Sequence, residues 1–401
     1  MNVLFLTLLS FESLQERNIY TDLLREFVKN GHYVYAISPL EKRKRQHTHL
    51  LVEKNAQILR LLIGNTQKTN ILEKGISIVM MESIFKKGIK QYFSDVKFDL
   101  IIYSTPPITL LGAITYVKKR DNAKTYLLLK DIFPQNAVDI GMLKTTGIKG
   151  LLYHYFRKQE KMLYKVSDRI GCMSKANVDY VIKHNPEVNI NKVELCPNSI
   201  DVIDKSVDEF TRKQIRMKYE LPLDKKVFIY GGNLGKPQGI PFIIECMEKC
   251  KNIDEAYFLI IGDGTEYRLL ESYALKSNQT NLKIMRRLPK EDYDTLVGAC
   301  DVGLIFLDHR FTIPNFPSRL LSYMQAKMTV LASTDVNTDL GELLEKECFG
   351  WWCESNDSGC FFQFVEKIIN SDFNSMKQHE WDFLNRNYSV SNAYKIIING
   401  M

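Results

Sequence analysis

The sequence predicts an α/β fold of two Rossmann-like, doubly wound domains facing a cleft. Three observations carry this. The chain has 401 residues, and at roughly 100–200 residues per domain that length favours two domains. Short apolar runs alternate with longer amphipathic stretches, and the βαβα order they imply occurs twice. Several runs, such as Leu127–Leu129 and Phe258–Ile261, are apolar without interruption. Strands buried on both faces of a parallel sheet read that way.

In the first half the expected strands are Val3–Leu8, Tyr33–Ser38, Ile76–Met81, Leu100–Ser104, Thr125–Leu129, Arg169–Cys172 and Val193–Cys196. In the second they are Val227–Tyr230, Tyr257–Ile261, Leu282–Met285, Val302–Leu307 and Val330–Ala332. Helical spacing covers Ile19–Asn30, which Gly31 would close. Further helices are expected at Ile148–Val166, Asp208–Tyr219, Phe242–Lys251, Glu266–Leu275, Ser318–Ala326 and Tyr388–Ile398. The boundary falls after Asn198–Asp201. It divides the chain into a domain over 1–203, a second over 204–385, and a last helix over 386–401 that returns toward the first domain.

About 45% of residues are hydrophobic and 25% charged, which excludes disorder, collagen and coiled coil as overall descriptions. No uncharged apolar run approaches the ~20 residues of a membrane span. Val3–Leu9 lacks a basic flank and reads as a strand, not a signal peptide. Eight cysteines without a C-x-x-C pair point to a reducing cytoplasm. The net charge of +7 is uneven: residues 1–200 carry 30 Lys and Arg against 18 Asp and Glu, the rest 24 against 29. The first half is thus suited to an anionic partner. Its basic clusters are Lys42–Arg45, Lys86–Lys90, Lys118–Arg120 and Arg157–Lys165. They lack the interleaved aromatic platforms of nucleic-acid binding, so no nucleic acid is expected.

In open α/β sheets ligands bind outside the carboxyl ends of strands, so the strand-to-helix turns are where chemistry should sit. After Val227–Tyr230 comes Gly231-Gly232-Asn233-Leu234-Gly235-Lys236-Pro237-Gln238-Gly239. Glycines there let backbone approach an anion, and Lys236 adds a point charge; a tight turn with a surface lysine is the plainer reading. Gly262-Asp263-Gly264 is a second such turn, or a simple helix cap. In the third, Pro317-Ser318-Arg319-Leu320, Pro317 would open a helix whose free amides join the Arg319 guanidinium in an anion site; ordinary capping is the alternative. In the first half Asp131, at the end of Thr125–Leu129, would bind a hydroxyl or act as a base, or simply start a turn before Pro134. No histidine or cysteine spacing suggests a metal. The pair Asp292 and Asp294 fits an exposed first helical turn better than an ion site.

These pieces resemble GT-B glycosyltransferases of the retaining glycosyltransferase family 4 group. YGGNLGKPQG is similar to the family's glycine-rich turn, IIGDG to its second turn, and PSRLLSYMQAKMTVLAS to its P-S-K-x-x-E-Y-M-A-x-G-x-P-V-I-A stretch. CMSKANVDYV and LCPNSID match a helix start and an N-G-[VI]-D turn. LKDIFPQNAVDIGML looks like the D-I-W-P-E-S-A stretch of bacterial capsule and O-antigen enzymes that transfer N-acetylated deoxyamino sugars. The sequence departs from the family where many members carry glutamates: Ser322 and Pro314 occupy those positions. The family's Arg and Lys of the glycine-rich turn fall at Asn233 and Gln238, which leaves Lys236 as their substitute. Ser13–Asn18 also lacks the family's glycines.

The resemblance implies a metal-independent hexosyl- or acetylhexosaminyl-transferase with no cofactor beyond its nucleotide-sugar co-substrate. A UDP-linked sugar would lie between an acceptor-binding first domain and a nucleotide-sugar-binding second domain. Asp131, Lys236 and Arg319 are the implied catalytic residues. Gly232, Asn233, Gly235, Gly262, Asp263, Gly264, Leu288, Pro317, Ser318, Leu320 and Ser322 are the implied donor contacts. The acceptor would be a saccharide on a polyprenyl diphosphate, made into surface polysaccharide. A non-catalytic GT-B partner subunit and a nucleotide-sugar 2-epimerase are the alternatives. The basic first half, with the mixed apolar and basic helix Ile148–Val166 and segment Ile84–Phe93, leads to a further expectation: a cytoplasmic protein held peripherally on the anionic inner face of the cell membrane.

Overall fold

The computed structural model describes residues 1–65 and 71–401. They form two compact units, Met1–Asp201 with Ser389–Met401, and Val202–Tyr388. The first unit contains β1 (Asn2–Leu6), β2 (Tyr33–Glu41), β3 (His49–Glu53), β4 (Ala56–Ile63), β5 (Leu100–Ser104), β6 (Lys124–Leu129), β7 (Arg169–Cys172) and β8 (Val193–Leu195). They make one sheet in the order β3-β4-β2-β1-β5-β6-β7-β8, parallel except where β3 runs against β4. Order reverses at β1, whose neighbours are β2 and β5. The carboxyl ends of β1 and β5 are therefore the topological switch point.

The apolar runs are continuous because both faces are covered. On one face Phe5, Leu24, Phe27 and Ile102 share a core with Val390, Ala393 and Ile397 of the helix Val390–Asn399. The helix Ile19–Lys29 is fixed at its start by Asn18, whose side chain accepts from the amides of Tyr20 and Thr21, both at 3.0 Å. Tyr394 packs edge-on to Phe27 with centroids 5.0 Å apart, and its hydroxyl meets His32 Nε2 at 2.8 Å. Elsewhere in the unit the helix Leu111–Asp121 packs against both Ile71–Tyr92 and Gly147–Val166.

Two expectations fail here. Ile76–Met81 is not a strand but part of the helix Ile71–Tyr92. The spacing of Met81, Phe85 and Ile89, all fully buried, continues past the run at intervals of four and makes a helical face. Its place in the sheet belongs to β4, which Gln57 and Arg60 disguise by interrupting the apolar pattern. Arg60 is nevertheless buried, donating from Nη1 to Phe11 O and Ser38 Oγ, each at 2.7 Å. Tyr388–Ile398 is likewise not one helix. Asn374–Tyr388 ends where Ser389 caps Val390–Asn399 by accepting from the Asn392 amide.

The second unit contains β9 (Lys226–Asn233), β10 (Ala256–Asp263), β11 (Leu282–Met285), β12 (Val302–Phe306), β13 (Thr329–Thr334) and β14 (Gly350–Glu354). All pairs are parallel, in the order β11-β10-β9-β12-β13-β14, so β9 and β12 form the switch point. The edge strand β14 was not expected from sequence. Phe228, Tyr230, Ile260, Leu304 and Phe306 build the core with Phe242, Cys246 and Phe361 from flanking helices. Arg216, from the helix Glu209–Lys218, is almost wholly buried. Its Nη2 meets Asp301 Oδ2 at 2.5 Å and its Nε donates to Ala299 O at 2.9 Å. All eight cysteines are free thiols.

Candidate functional site

The glycine-rich turn begins inside the sheet. β9 extends through Asn233, and Gly232 and Asn233 pair in register with Gly262 and Asp263 of β10. A Cβ on Gly262 would collide with the Gly232 carbonyl, and one on Gly264 with Leu234 O. The glycines at these two positions thus have a cause in strand packing. Asp263 does not cap the following helix, whose N-cap is Glu266 without a side-chain bond; it faces Arg286 Nη1 at 3.2 Å. Beyond β9 the turn closes on itself. Gln238 Oε1 accepts from Asn233 Nδ2 at 2.7 Å and from the Gly235 amide at 3.3 Å.

Gly232 has φ of 143°, a conformation reserved for glycine, and a Cβ there would run into Arg319 Nη2. Arg319 is the cation that this turn approaches. Its guanidinium lies over the Tyr230 ring, 4.1 Å from the centroid. Burial pulls its pKa down, while Tyr230, Tyr323 and Tyr293 push it up by more. The Tyr293 hydroxyl is buried without a partner among the described residues, and desolvation lifts its pKa to about 12. The result is a charged guanidinium held in aromatic surroundings, where Coulomb attraction is screened less than in water.

The third turn differs from expectation. Pro317 lies before the helix, which runs Arg319–Gln325 with Ser318 at its N-cap. The amide of Leu320 already donates to Pro317 O at 3.2 Å, and the Leu320 side chain is fully buried. Ser318 is exposed and Ser322 half-buried. Asn315, beside Pro314, holds a buried Nδ2 with no acceptor among the described residues. Leu288 is half-buried in the segment between β11 and the helix Lys290–Gly298.

Lys236 has other neighbours. It lines a cavity of about 460 Å³ with Gly239, Phe242, Glu266, Asp308 and Arg310. Arg310 is tied to Asp308 by two bonds of 2.8 and 2.7 Å. The structure therefore joins Gly232, Gly262 and Arg319 in one group, and Asn233, Gly235 and Gln238 in a second. Asp292 and Asp294 meet lysines: Asp294 takes Lys205 at 2.8 Å and Lys290 at 2.9 Å, and Asp292 takes Lys218 at 3.4 Å. Among the described residues no three His, Cys, Asp or Glu side chains come together as a metal cage.

In the first unit the switch point carries hydroxyls. Ser104 Oγ donates to Thr7 Oγ1 at 3.2 Å, and Thr105 Oγ1 accepts from the amides of Lys130 at 3.1 Å and Asp131 at 3.4 Å. Asp131 lies two residues beyond β6 and receives Asn136 Nδ2 at 2.7 Å. Burial raises the Asp131 carboxyl to about 6 against the lowering effect of that bond. It also draws Lys130 down to about 8. The two groups are consecutive in the chain but answer to different neighbours, Asp131 to Asn136 and Glu160 and Lys130 to Cys172 and Cys196; a carboxyl raised toward neutrality suits proton exchange near pH 7. Thr105, Asn136 and the three tyrosines around Arg319 escaped the sequence reading; only the tyrosine content of the strand and helix ends hinted at the last.

The fold and these turns can be set beside known proteins. Residues 211–382 match the family profile of glycosyl transferases group 1. The match lies within the second unit, Val202–Tyr388. The chain is 26% identical over 331 residues to "Probable glycosyltransferase WbjE" of Pseudomonas aeruginosa, covering 81% of this chain and 79% of that one. It is 24% identical over 258 residues to a protein of Escherichia coli (strain K12) named for colanic acid biosynthesis glycosyl transfer, WcaI, with coverages of 62% and 60%. Among solved structures, Anabaena Alr3699/HepE in complex with UDP superposes with a TM-score of 0.68 at 14% identity, covering 100% of this chain and 99% of that chain. That likeness shows the shared two-Rossmann fold.

Proposed function

We propose that this glycosyltransferase moves an N-acetylated hexosamine or deoxyhexosamine from a UDP donor to a lipid-linked saccharide, with retention, in surface polysaccharide biosynthesis. The single observation that carries the reading is Arg319, a guanidinium set on Tyr230 whose Nη2 occupies the space that the missing side chain of Gly232 leaves. Breaking a sugar–diphosphate bond builds negative charge on the leaving diphosphate. A fixed cation with little water around it stabilises that charge more in the transition state than in the bound donor. Lys236, four residues after Gly232 in the same turn, adds a second positive charge, and Asn315 Nδ2, without an acceptor among the described residues, suits an oxygen of the sugar. The acceptor hydroxyl attacks from the face the diphosphate leaves. Asp131 takes its proton or holds a sugar hydroxyl in place, with Asn136 fixing the carboxylate. The names of the bacterial relatives and the UDP of the Anabaena structure support donor class and pathway.

Mass spectrometry of the purified protein after exposure to a panel of nucleotide-sugars tests this. Retention of UDP-N-acetyl sugars and release of UDP on adding a lipid-linked acceptor is expected. Failure to hold any nucleotide-sugar would leave a non-catalytic role, and conversion of the donor without acceptor would make it an epimerase.

Peripheral attachment to the inner face of the cell membrane is part of the same reading. No helix among the described residues is long and apolar enough to cross a bilayer. Yet Leu151 (71% exposed), Leu152, Tyr155 and Met162 of the helix Gly147–Val166 stand in solvent, with Phe156 and Leu163 turned into the core. Lys158, Lys161 and Lys165 are exposed beside them; the side chains of Ile148 and Lys149 lie outside the described residues. An apolar face with flanking lysines suits an anionic interface.

A further inference from the structure

We propose that a cavity of about 570 Å³ on the first unit, at the helices Ile71–Tyr92 and Leu111–Asp121, is a binding site for a phosphate group, on a lipid headgroup or free in solution. The headgroup source rests on the membrane reading above; the free source does not. Two basic clusters far apart in sequence meet there. Lys86, Lys119 and Arg120 line the cavity with Thr115 and Tyr116. The Tyr116 ring is shared by three cations, with Lys90 Nζ at 5.0 Å, Lys86 Nζ at 5.5 Å and the Arg120 guanidinium at 5.7 Å from its centroid.

Arg120 is fixed in place by Asp121, at 2.7 Å to each oxygen, and by the carbonyls of Val96 at 2.6 Å and Phe93 at 3.1 Å. Lys86, Lys90 and Lys119 have no carboxylate partner among the described residues. The acid among the described lining residues is Glu82, whose carboxylate lies against Gly112. Like charges gathered on one ring repel, and the face of one tyrosine offsets only part of that. A compact dianion relieves the repulsion and accepts from the ammonium groups, while Thr115 supplies a hydroxyl. The site is also placed to serve a membrane. The helix that carries Tyr116 packs against Gly147–Val166, whose exposed Leu151, Leu152 and Tyr155 form the apolar face described above.

The test compares the whole protein, Lys86→Gln/Lys119→Gln, and a control that loses equal charge from the second unit, Lys213→Gln/Lys276→Gln. Thermal unfolding and nucleotide-sugar binding check that each variant is folded. Each is co-sedimented with phosphatidylcholine vesicles with and without phosphatidylglycerol, and titrated calorimetrically with inorganic phosphate. At about 1 kcal/mol per lysine, the cavity variant should bind the anionic vesicles roughly thirtyfold more weakly while the control does not. Phosphate heat in the wild type that the cavity variant loses, with no vesicle effect, supports the site and assigns it to a free phosphate. If the cavity variant behaves like the control in both assays, the site is wrong, although vesicle binding by the wild type would keep the membrane reading. If the wild type binds neither vesicles nor phosphate at low salt, both fall.

Discussion

Asn233 Nδ2 donates to Gln238 Oε1 at 2.7 Å, so the two ends of the turn after β9 hold each other. These are the positions where the resembling family has an arginine and a lysine. Here a neutral pair organises the backbone, and the positive charge comes from Arg319 and Lys236. Gln238→Ala removes the acceptor of both Asn233 and the Gly235 amide. A neutral hydrogen bond contributes about 1 kcal/mol, so donor KM should rise several-fold with kcat nearly constant. Steady-state kinetics with the donor varied checks this, and an unchanged KM would dismiss the turn from donor binding.

Arg319→Gln and Lys236→Ala should each lower kcat/KM. A charge-assisted contact contributes about 1.5–3 kcal/mol, or roughly tenfold or more in rate. The loss at Arg319 should be the larger, because Lys236 lines a cavity with Asp308 and Arg310, whereas Arg319 is fixed against Tyr230 and Gly232. Equal, wild-type kcat/KM in both variants would remove the proposed donor site.

Turnover should persist in a chelator. The leaving diphosphate can be met by guanidinium and ammonium, and Asp292 and Asp294 are engaged by Lys218, Lys205 and Lys290. Activity lost in EDTA and restored by magnesium or manganese counts against this.

Asp131 gives a pH signature. Its folded carboxyl titrates at about 6, above the ordinary 3.8. The stability it contributes is therefore present below pH 4 and is lost as pH rises through 6. Asp131→Asn should be more stable than the wild type at pH 7–8 and equal to it near pH 4, by denaturant titration. As a base Asp131 acts ionised, so wild-type kcat/KM should climb through pH 6, and the variant should lack that limb and lose roughly 10²-fold or more.

Asp301 holds the buried guanidinium of Arg216 and also pairs with Arg212. Asp301→Ala strands a cation in the core of the second unit and should cost about 3–5 kcal/mol. A large fall in the unfolding midpoint is the expected readout, and a fall no bigger than that of an exposed Asp208→Ala would show the pair to be dispensable.

What could be read from sequence was local. Strand, glycine turn and helix follow one another within a dozen residues after Val227, so periodicity and turn chemistry located them. The same turn logic singled out Asp131 and Arg319, and the family resemblance then gave them implied catalytic roles. What escaped was set by partners distant in the chain. Arg60 breaks the pattern of β4 because its charge is answered by Phe11 O and Ser38 Oγ, which no window around residue 60 contains. Tyr230, Tyr293 and Tyr323 surround Arg319 from a strand and two helices. The cations at Tyr116 come from two helices whose adjacency only the packing reveals. Gly262 and Gly264 also have a reason that no local window contains, because the backbone of Gly232 and Leu234 fills the space a side chain would need.

The helix Val390–Asn399 completes the core of a unit that began with Asn2. On the ribosome this sets an order of events. Residues 202–388 are all emitted before the segment that covers Phe27 and His32, and at about 5–20 residues per second that delay lasts of the order of ten seconds or more. The second unit has its whole chain available to fold first. The first must wait with an apolar helix face open, and a chain cut short before Val390 would release a product whose second unit is whole but whose opening sheet is unsealed.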